Sequence, residues 1–397
     1  MSQKASLHKP TFHQDEFLPF TRPDIGDEEI AAAVDCLKSG WIATGPRVQA
    51  LETAFKETCH APYAALLTSA TAGLHLSLLA MDVKEGDEVI TTPLTFISSV
   101  NAIVHTGARP IMVDIDPKTL NMDVSRLEDA ITPRTKVLLP VHFAGLPVDL
   151  DPLYEIAHRR GLRVLEDAAH AVGARYKNRA IGSFGDTQVF SFHPCKNMTT
   201  AEGGCVVTHD DDLAKRLNRL RFHGIDRDAW NRYTKKGSQI FDVVEAGYKA
   251  NMSDLQAAIG LAQLPKLEGF CQARRQHVER YRTLLKDLEA FSLPAIPDYD
   301  HDHAWHIFTP VIHPEKAGLD RDTFVTKMKE ANIGLGIHYP AVHLFSYYQK
   351  TWGFKSGDFP HAESAGNRIM SLPLWASMTP DTQNRVIDTM KTIIQRA

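Results

Sequence analysis

The sequence predicts an α/β protein, with a mostly parallel sheet flanked by helices and a smaller α+β C-terminal domain. Two observations carry this. Between about residues 64 and 210, short β-rich runs ("DEVITT", "RPIMVDID", "TKVLLPVHF", "LRVLED", "TQVFSFH" and "GCVVTHD") alternate with helix-like or turn-like segments. Strands alternating with helices imply a mostly parallel sheet covered on both faces. The chain, at 397 residues, is also long enough for two domains, or for one large domain with a smaller one appended.

The elements follow in order. A polar arm occupies residues 1–24. In "DEEIAAAVDCLKSG", Ile30, Val34 and Leu37 stand at i, i+4 and i+7, which predicts an amphipathic helix that Gly40 is suited to stop. The alternating region makes 25–265 the large domain. Beyond "SDLQAAIGLAQLPKLEGF" a long charged helical pattern runs to about residue 290, interrupted or bent at Pro265, and is expected to connect two domains. The rest of 266–397 contains "HAWHIFTPVIH", a helix near "RDTFVTKMKEANI" and the terminal helix "DTQNRVIDTMKTIIQ", and reads as the smaller α+β unit.

Composition narrows the partners. Hydrophobic residues at 43%, charged residues at 23% and a net charge of −4 leave no basic field to attract nucleic acid. The five cysteines are odd in number and lack paired metal spacing, which suits free thiols in a reducing cytoplasm. The start has no apolar core of signal-peptide length and no run of eighteen apolar residues follows, so a soluble cytoplasmic protein with no membrane partner is expected.

Ligands in a parallel α/β sheet gather at the carboxyl ends of the strands. Three strand-like runs end on polar groups that would face one crevice. "LLTSATAGLHLSLLAM" turns into a helix at residues 69–73, where free backbone N–H groups and hydroxyls suit a phosphate; the other reading is a plain N-cap by Thr68, Ser69 or Thr71. "LRVLEDAAHA" ends on Asp167 and His170. Asp167 either caps a helix or pairs with an arginine, or it holds a pyridinium nitrogen protonated through its negative charge. "VFSFHPCK" ends on Ser191 and Lys196, and a cation just past an apolar run needs open solvent or a partner. Phe96 in "TTPLTFISS" packs in the core or stacks on a flat ring. Together the parts describe a pyridoxal phosphate site with a phosphate cradle, a stacked ring, a carboxylate at the ring nitrogen and a lysine for the covalent link.

The pieces "SGWIATGP", "TSATAGLH", "GDEVITTPLTF", "PVHFAG", "EDAAHAVGA", "FSFHPCKNMTTAEGG", "GYKANMSDLQAAIGLAQL" and "HAWHIF" stand in the order and spacing of the DegT and StrS-like sugar aminotransferases, and from about residue 17 onward the chain resembles that family. The resemblance implies a fold-type I pyridoxal-phosphate-dependent transferase. Its amino donor is glutamate, with 2-oxoglutarate as the product, and the acceptor is a nucleotide-linked keto sugar. The segments "FLPFTRP", "SGWIATGP", "SATAGLH", "GYKANMSD" and "HAWHIF" are most similar to members that make UDP-4-amino-4-deoxy-L-arabinose from a UDP-4-keto-pentose. Carried over by position, Lys196 is the cofactor-linking lysine and Asp167 the ring-nitrogen partner. Ala70 and Thr71 are the phosphate-binding pair, Ser191 a further neighbour of the phosphate or of the link, Phe96 the stacking aromatic and His170 the residue near the ring's phenolic oxygen. Trp41, Thr44 and Gly45 line the sugar site, and His338, Tyr339 and His343 of "GIHYPAVH" are expected to contact the sugar nucleotide or to form a structural loop. Many relatives read Gly-Tyr-Asn-x-Arg where this chain has Gly247-Tyr248-Lys249-Ala250-Asn251. Either Lys249 or Asn251 is therefore expected to reach the phosphate of the neighbouring subunit, giving a homodimer with shared sites.

Other signals carry less. His301, His303 and His306 in "HDHAWH" lack a carboxylate or thiolate at suitable spacing and read as a loop lining the site, so no metal is expected. Cys195 reads as packing rather than as a nucleophile. No G-x-G-x-x-G follows a strand-like run, which argues against hydride transfer on a nicotinamide. Related enzymes that dehydrate a keto sugar carry histidine in place of the lysine, so Lys196 argues against that activity. The remaining alternatives are an aminotransferase for another 4-keto or 3-keto nucleotide hexose and a non-catalytic regulator on the same fold.

Overall fold

The computed structural model describes residues 16–226 and 241–397, so residues 1–15 of the expected arm lie outside the described residues. The strands are β1 (Tyr63–Leu67), β2 (Glu88–Thr91), β3 (Arg109–Met112), β4 (Thr135–Leu138), β5 (Arg163–Asp167), the small hairpin β6 (Arg175–Tyr176) and β7 (Arg179–Ala180), then β8 (Thr187–Ser191) and β9 (Gly204–Thr208). Seven of them form one sheet in the order β1-β9-β8-β5-β4-β2-β3. From β3 to β8 every neighbour is parallel, and β9 alone runs antiparallel to both β8 and β1.

Strict alternation makes this sheet two-sided. Leu66, Ile90, Leu138, Val164, Phe190 and Val207 enter one apolar cluster, while their chain neighbours Leu67, Val89, Val137, Leu165, Val189 and Val206 enter another. The helices α1 (Asp27–Ser39), α2 (Pro46–Cys59), α3 (Ala70–Ala80), α4 (Ile97–His105), α5 (Leu150–Arg160), α6 (Asp211–Leu220) and α7 (Asp254–Gln263) supply the cover. Leu51 of α2, Leu153 of α5 and Ala257 of α7 pack on the first face; Leu74 of α3, Ala102 of α4 and Leu217 of α6 pack on the second.

Helix α1 ends as its sequence predicts, with Gly40 left-handed at φ 72°. Its apolar stripe does not face the core. Ile30, Val34 and Leu37 are 56%, 41% and 54% exposed, whereas Glu29 is buried. Glu29 accepts hydrogen bonds from Gln263 Nε2 at 2.9 Å and Lys266 Nζ at 2.6 Å. A satisfied carboxylate has replaced the apolar side as the contact with α7.

Pro265 breaks the helical pattern with a 3₁₀ turn, and α8 (Leu267–Leu285) continues. Leu267 and Cys271 of α8 belong to the first core, while Val278, Tyr281 and Leu285 belong to a second core with Phe308, Phe324, Trp375 and Met390. This second core draws on β10 (Phe291–Ser292), β12 (Val311–Ile312), α9 (Pro314–Ala317), α10 (Arg321–Glu330) and α13 (Pro380–Gln395), while β11 (His301–Asp302) pairs with β6, Tyr348 of α11 (Ser346–Trp352) packs with Val100 and Met112, and Ala362 and Ala365 of α12 (Pro360–Arg368) pack with Phe143. Leu18 closes it, its N–H bonded to Asn332 O at 2.9 Å. No helix among the described residues is long and apolar enough to cross a membrane.

Candidate active site

The carboxyl ends of β1, β5 and β8 bring together the residues read from the sequence. Asp167 ends β5 and is buried. Its Oδ1 accepts the Ala169 N–H at 3.1 Å and its Oδ2 accepts the Ser99 hydroxyl at 2.7 Å, so its donors are a turn amide and a serine rather than an arginine or a following helix. Lys196 lies in the turn after β8, with its N–H on His193 O at 2.9 Å and its Nζ 3.4 Å from His306 Nε2. Burial pushes the Lys196 ammonium below its usual range, against the pull of Cys195 and Asp167. Burial also raises the Asp167 carboxyl, against Ser99, the Ala169 N–H and Lys196. A solvated strand end would show neither shift.

At the start of α3, Ser69 is the N-cap and accepts the Ala72 N–H at 3.1 Å. The N–H groups of Ala70 and Thr71 belong to the first turn, where an α-helix offers no internal acceptor and the dipole is positive. The capping reading and the anion reading are thus compatible. Strand β9 begins against this turn. A Cβ on Gly204 would lie 2.5 Å from Ala70 N, so only glycine allows that approach. Ser191 is buried at the end of β8, with its Oγ 3.4 Å from His193 N.

Phe96, at the N-cap of α4, is 52% exposed and is not a core residue. Its ring lies 5.8 Å from that of Tyr339. His170 Nδ1 accepts the Ala144 N–H at 3.2 Å, and its Nε2 lies 3.1 Å from Tyr339 Oη. Gly145, left-handed at φ 95°, closes that turn; a Cβ there would stand 2.7 Å from His170 O. The rings of His170 and His306 are 4.4 Å apart. Burial, and then the charge of Lys196, hold both imidazoles well below their usual range. His338 bonds Ser371 Oγ at 2.8 Å and is pushed down to about 4 by burial and Lys196.

Trp41, Thr44 and Gly45 form a tight unit before α2. Trp41 Nε1 donates to Thr44 O at 3.3 Å, and a Cβ on Gly45 would collide with the indole. Thr44 Oγ1 donates to Met252 O at 2.6 Å and meets Asn251 Nδ2, while Lys249 Nζ donates to Asn251 Oδ1. The Ala250 carbonyl accepts the Thr68 N–H at 2.8 Å, which sets this cluster beside the end of β1. His343 differs from its expected role in sugar contact. It is fully buried, bonded to Glu363 at 3.0 Å and packed on Phe359, so it presents no surface to a ligand.

Sequence reading missed Ser99 and took His306 as part of a loop lining the site, without a role of its own. His306 N–H bonds Ala144 O at 3.0 Å, which fixes its ring beside Lys196, and its buried Nδ1 has no partner.

The model of the DegT/DnrJ/EryC1/StrS aminotransferase family matches residues 23–391. The spore coat polysaccharide biosynthesis protein SpsC of Bacillus subtilis is 45% identical over 97% of this chain and 99% of its own length. Among solved structures, the sugar aminotransferase Spr1654 of Streptococcus pneumoniae in its PMP form has a TM-score of 0.88 at 32% identity, covering 96% of this chain and 99% of that one; the same protein is also solved in a PLP form. PseC of Helicobacter pylori, an aminotransferase of pseudoaminic acid biosynthesis, has a TM-score of 0.88 at 26% identity over 96% of this chain and 100% of that one. With the match spanning both cores and the whole candidate site, this chain belongs to the DegT/DnrJ/EryC1/StrS aminotransferase family.

Proposed function

We propose that the protein is a pyridoxal-phosphate-dependent sugar aminotransferase that moves an amino group from glutamate to the 4-keto group of a nucleotide-linked sugar, of the UDP-4-keto-pentose type. The observation that carries the reading is the pairing of a buried carboxylate, Asp167, with a lysine of lowered basicity, Lys196, at adjacent strand ends. The donor set suits the cofactor. The α3 start, with Gly204 packed beneath it, and Ser191 suit a phosphate; Asp167 suits a cationic ring nitrogen, exposed Phe96 a ring face, and the unpartnered His306 Nδ1 a polar group of a ligand.

When bound, pyridoxal phosphate supplies an electron sink and carries the amino group between the two substrates. Lys196 supplies the covalent link and, once released as an amine, takes the proton from the α carbon of glutamate and later returns one on the sugar side. Its lowered basicity favours the neutral amine that this exchange needs. Asp167 keeps its negative charge against the ring nitrogen. Tyr339, whose ring lies near those of Phe96 and His170, and its neighbour His338 orient the sugar, with Trp41, Thr44 and Gly45 at the edge of the site.

The protein acts as a homodimer with shared sites. The exposed stripe of Ile30, Val34 and Leu37 supports this, because an apolar face of that kind would find cover on a second copy. The UDP-pentose assignment rests on the motif resemblance, and the printed roles of SpsC and PseC support an amino-sugar product. A product assay with glutamate against UDP-, dTDP- and GDP-linked keto sugars tests it. An amino sugar from the UDP-4-keto-pentose is expected, and conversion of only the other sugars would overturn the assignment.

A further inference from the structure

Two buried hydroxyls form a hydrogen-bonded chain that ends on Asp167. Ser99 and Thr95 are both buried, at 0% and 1% exposure. Ser99 Oγ lies 2.7 Å from Asp167 Oδ2, 2.8 Å from Thr95 Oγ1 and 3.2 Å from Phe96 O. A serine hydroxyl has one hydrogen to give, and a carboxylate at the shortest of these distances is the strongest acceptor. The Ser99 hydrogen therefore points at Asp167, and Thr95 must donate to Ser99. Ser99 also stands in the first turn of α4, where the positive end of the helix dipole favours a negative charge. Lys196, His142 and Tyr339 are the other charged or titratable groups that interact with Asp167.

We infer that Ser99, backed by Thr95, is a positioning residue that decides where the proton between Asp167 and the cofactor's ring nitrogen rests. The inference depends on the reading of Asp167 as the ring-nitrogen partner. In a buried pair the charged and neutral forms differ only by one proton, which sits on the nitrogen or on the carboxylate oxygen. Desolvation favours the neutral pair, and each hydrogen bond donated to the carboxylate favours the charged one. With Ser99 donating, the proton stays on the nitrogen and the ring stays cationic. Without Ser99 the N–H bond gives way to an O–H bond on Asp167, and the ring loses its charge. Phe96 caps the same helix three residues earlier, so one helix start sets both the ring's stacking partner and its charge.

The test is nitrogen-15 NMR of holoenzyme loaded with ring-labelled pyridoxal phosphate. The wild type is expected to show a protonated ring nitrogen and Asp167→Asn an unprotonated one. Ser99→Ala is expected to shift the resonance toward the Asp167→Asn position, and Ser99→Thr to restore it. Thr95→Val should give a smaller shift in the same direction, and it serves as the reading if Ser99→Ala does not fold. Wild-type resonances in the folded hydroxyl variants, beside a displaced Asp167→Asn signal, overturn the inference alone. An undisplaced Asp167→Asn signal overturns the reading of Asp167 beneath it.

Discussion

Tyr339 Oη lies 3.1 Å from His170 Nε2, and the backbone settles which of them donates. The Ala144 N–H occupies His170 Nδ1, so the ring hydrogen sits on Nε2 and Tyr339 accepts it. Burial pushes the Tyr339 phenol up, so it keeps its own hydrogen, which is free to point into the pocket. Tyr339→Phe removes that donor and strands the His170 N–H. A stability loss of about 1–3 kcal/mol in denaturant unfolding is expected, with a raised Michaelis constant for the sugar. Unchanged stability and kinetics together would mean the contact is incidental.

Gly204→Ala tests the cradle. The added Cβ would meet the Ala70 nitrogen and Ser69 backbone rather than a flexible side chain, so β9 or the start of α3 must move. Overpacking of this kind costs about 1–3 kcal/mol. The expected result is a lower melting temperature together with weaker binding of pyridoxal phosphate, measured by equilibrium titration. Cofactor affinity equal to wild type would separate the α3 start from phosphate binding.

Stability should fall with acid before most carboxylates titrate. His338 is held at about 4 in the folded chain against an ordinary value of 6.5, and His170 and His306 are displaced in the same direction. Between these values the unfolded chain binds more protons than the folded one, so stability is complete above about pH 6.5 and is lost as the pH falls toward 4. Denaturant midpoints from pH 7 to 4 should decline, and less steeply in His338→Asn. Equal slopes in the two proteins would remove His338 from the account.

Much of the sheet was legible because burial on both faces writes itself as short apolar runs, and ligand groups follow strand ends by topology. Lys196 and Asp167 stood out on that ground. Ser99 did not, because its partner is 68 positions away and a serine in a helix start reads first as a local hydrogen-bonder. The α1 stripe shows the converse: its period gave the helix, but a buried Glu29 bonded to Gln263 and Lys266 decided which side turned inward. His343 read as a pocket residue from its place in "GIHYPAVH", yet its bond to Glu363, which also holds Ser356 and Gly357, folded it into the second half of the chain's packing.

The proposed shared sites make a prediction about mixtures. Lys196→Ala and the double variant Lys249→Ala/Asn251→Ala are each expected to be inactive or strongly impaired. After subunit exchange, a mixed dimer holds one site with an intact Lys196 and an intact neighbouring Lys249–Asn251 pair. Recovery of activity toward one working site per mixed dimer is expected. No recovery despite proven exchange would place the pair outside the neighbour's pocket.

The role proposed for Lys196 is to link the cofactor and move the proton, and one half-reaction isolates it. Purified holoenzyme is mixed with glutamate alone, and the absorbance of the bound cofactor and the 2-oxoglutarate formed are followed together. In the wild type the absorbance should change and 2-oxoglutarate should appear in about one equivalent per site. In Lys196→Ala, reloaded with cofactor, the rate should fall by at least about 10²–10⁴-fold, the contribution of general acid–base catalysis alone. Formation of 2-oxoglutarate by Lys196→Ala at the wild-type rate would contradict the account.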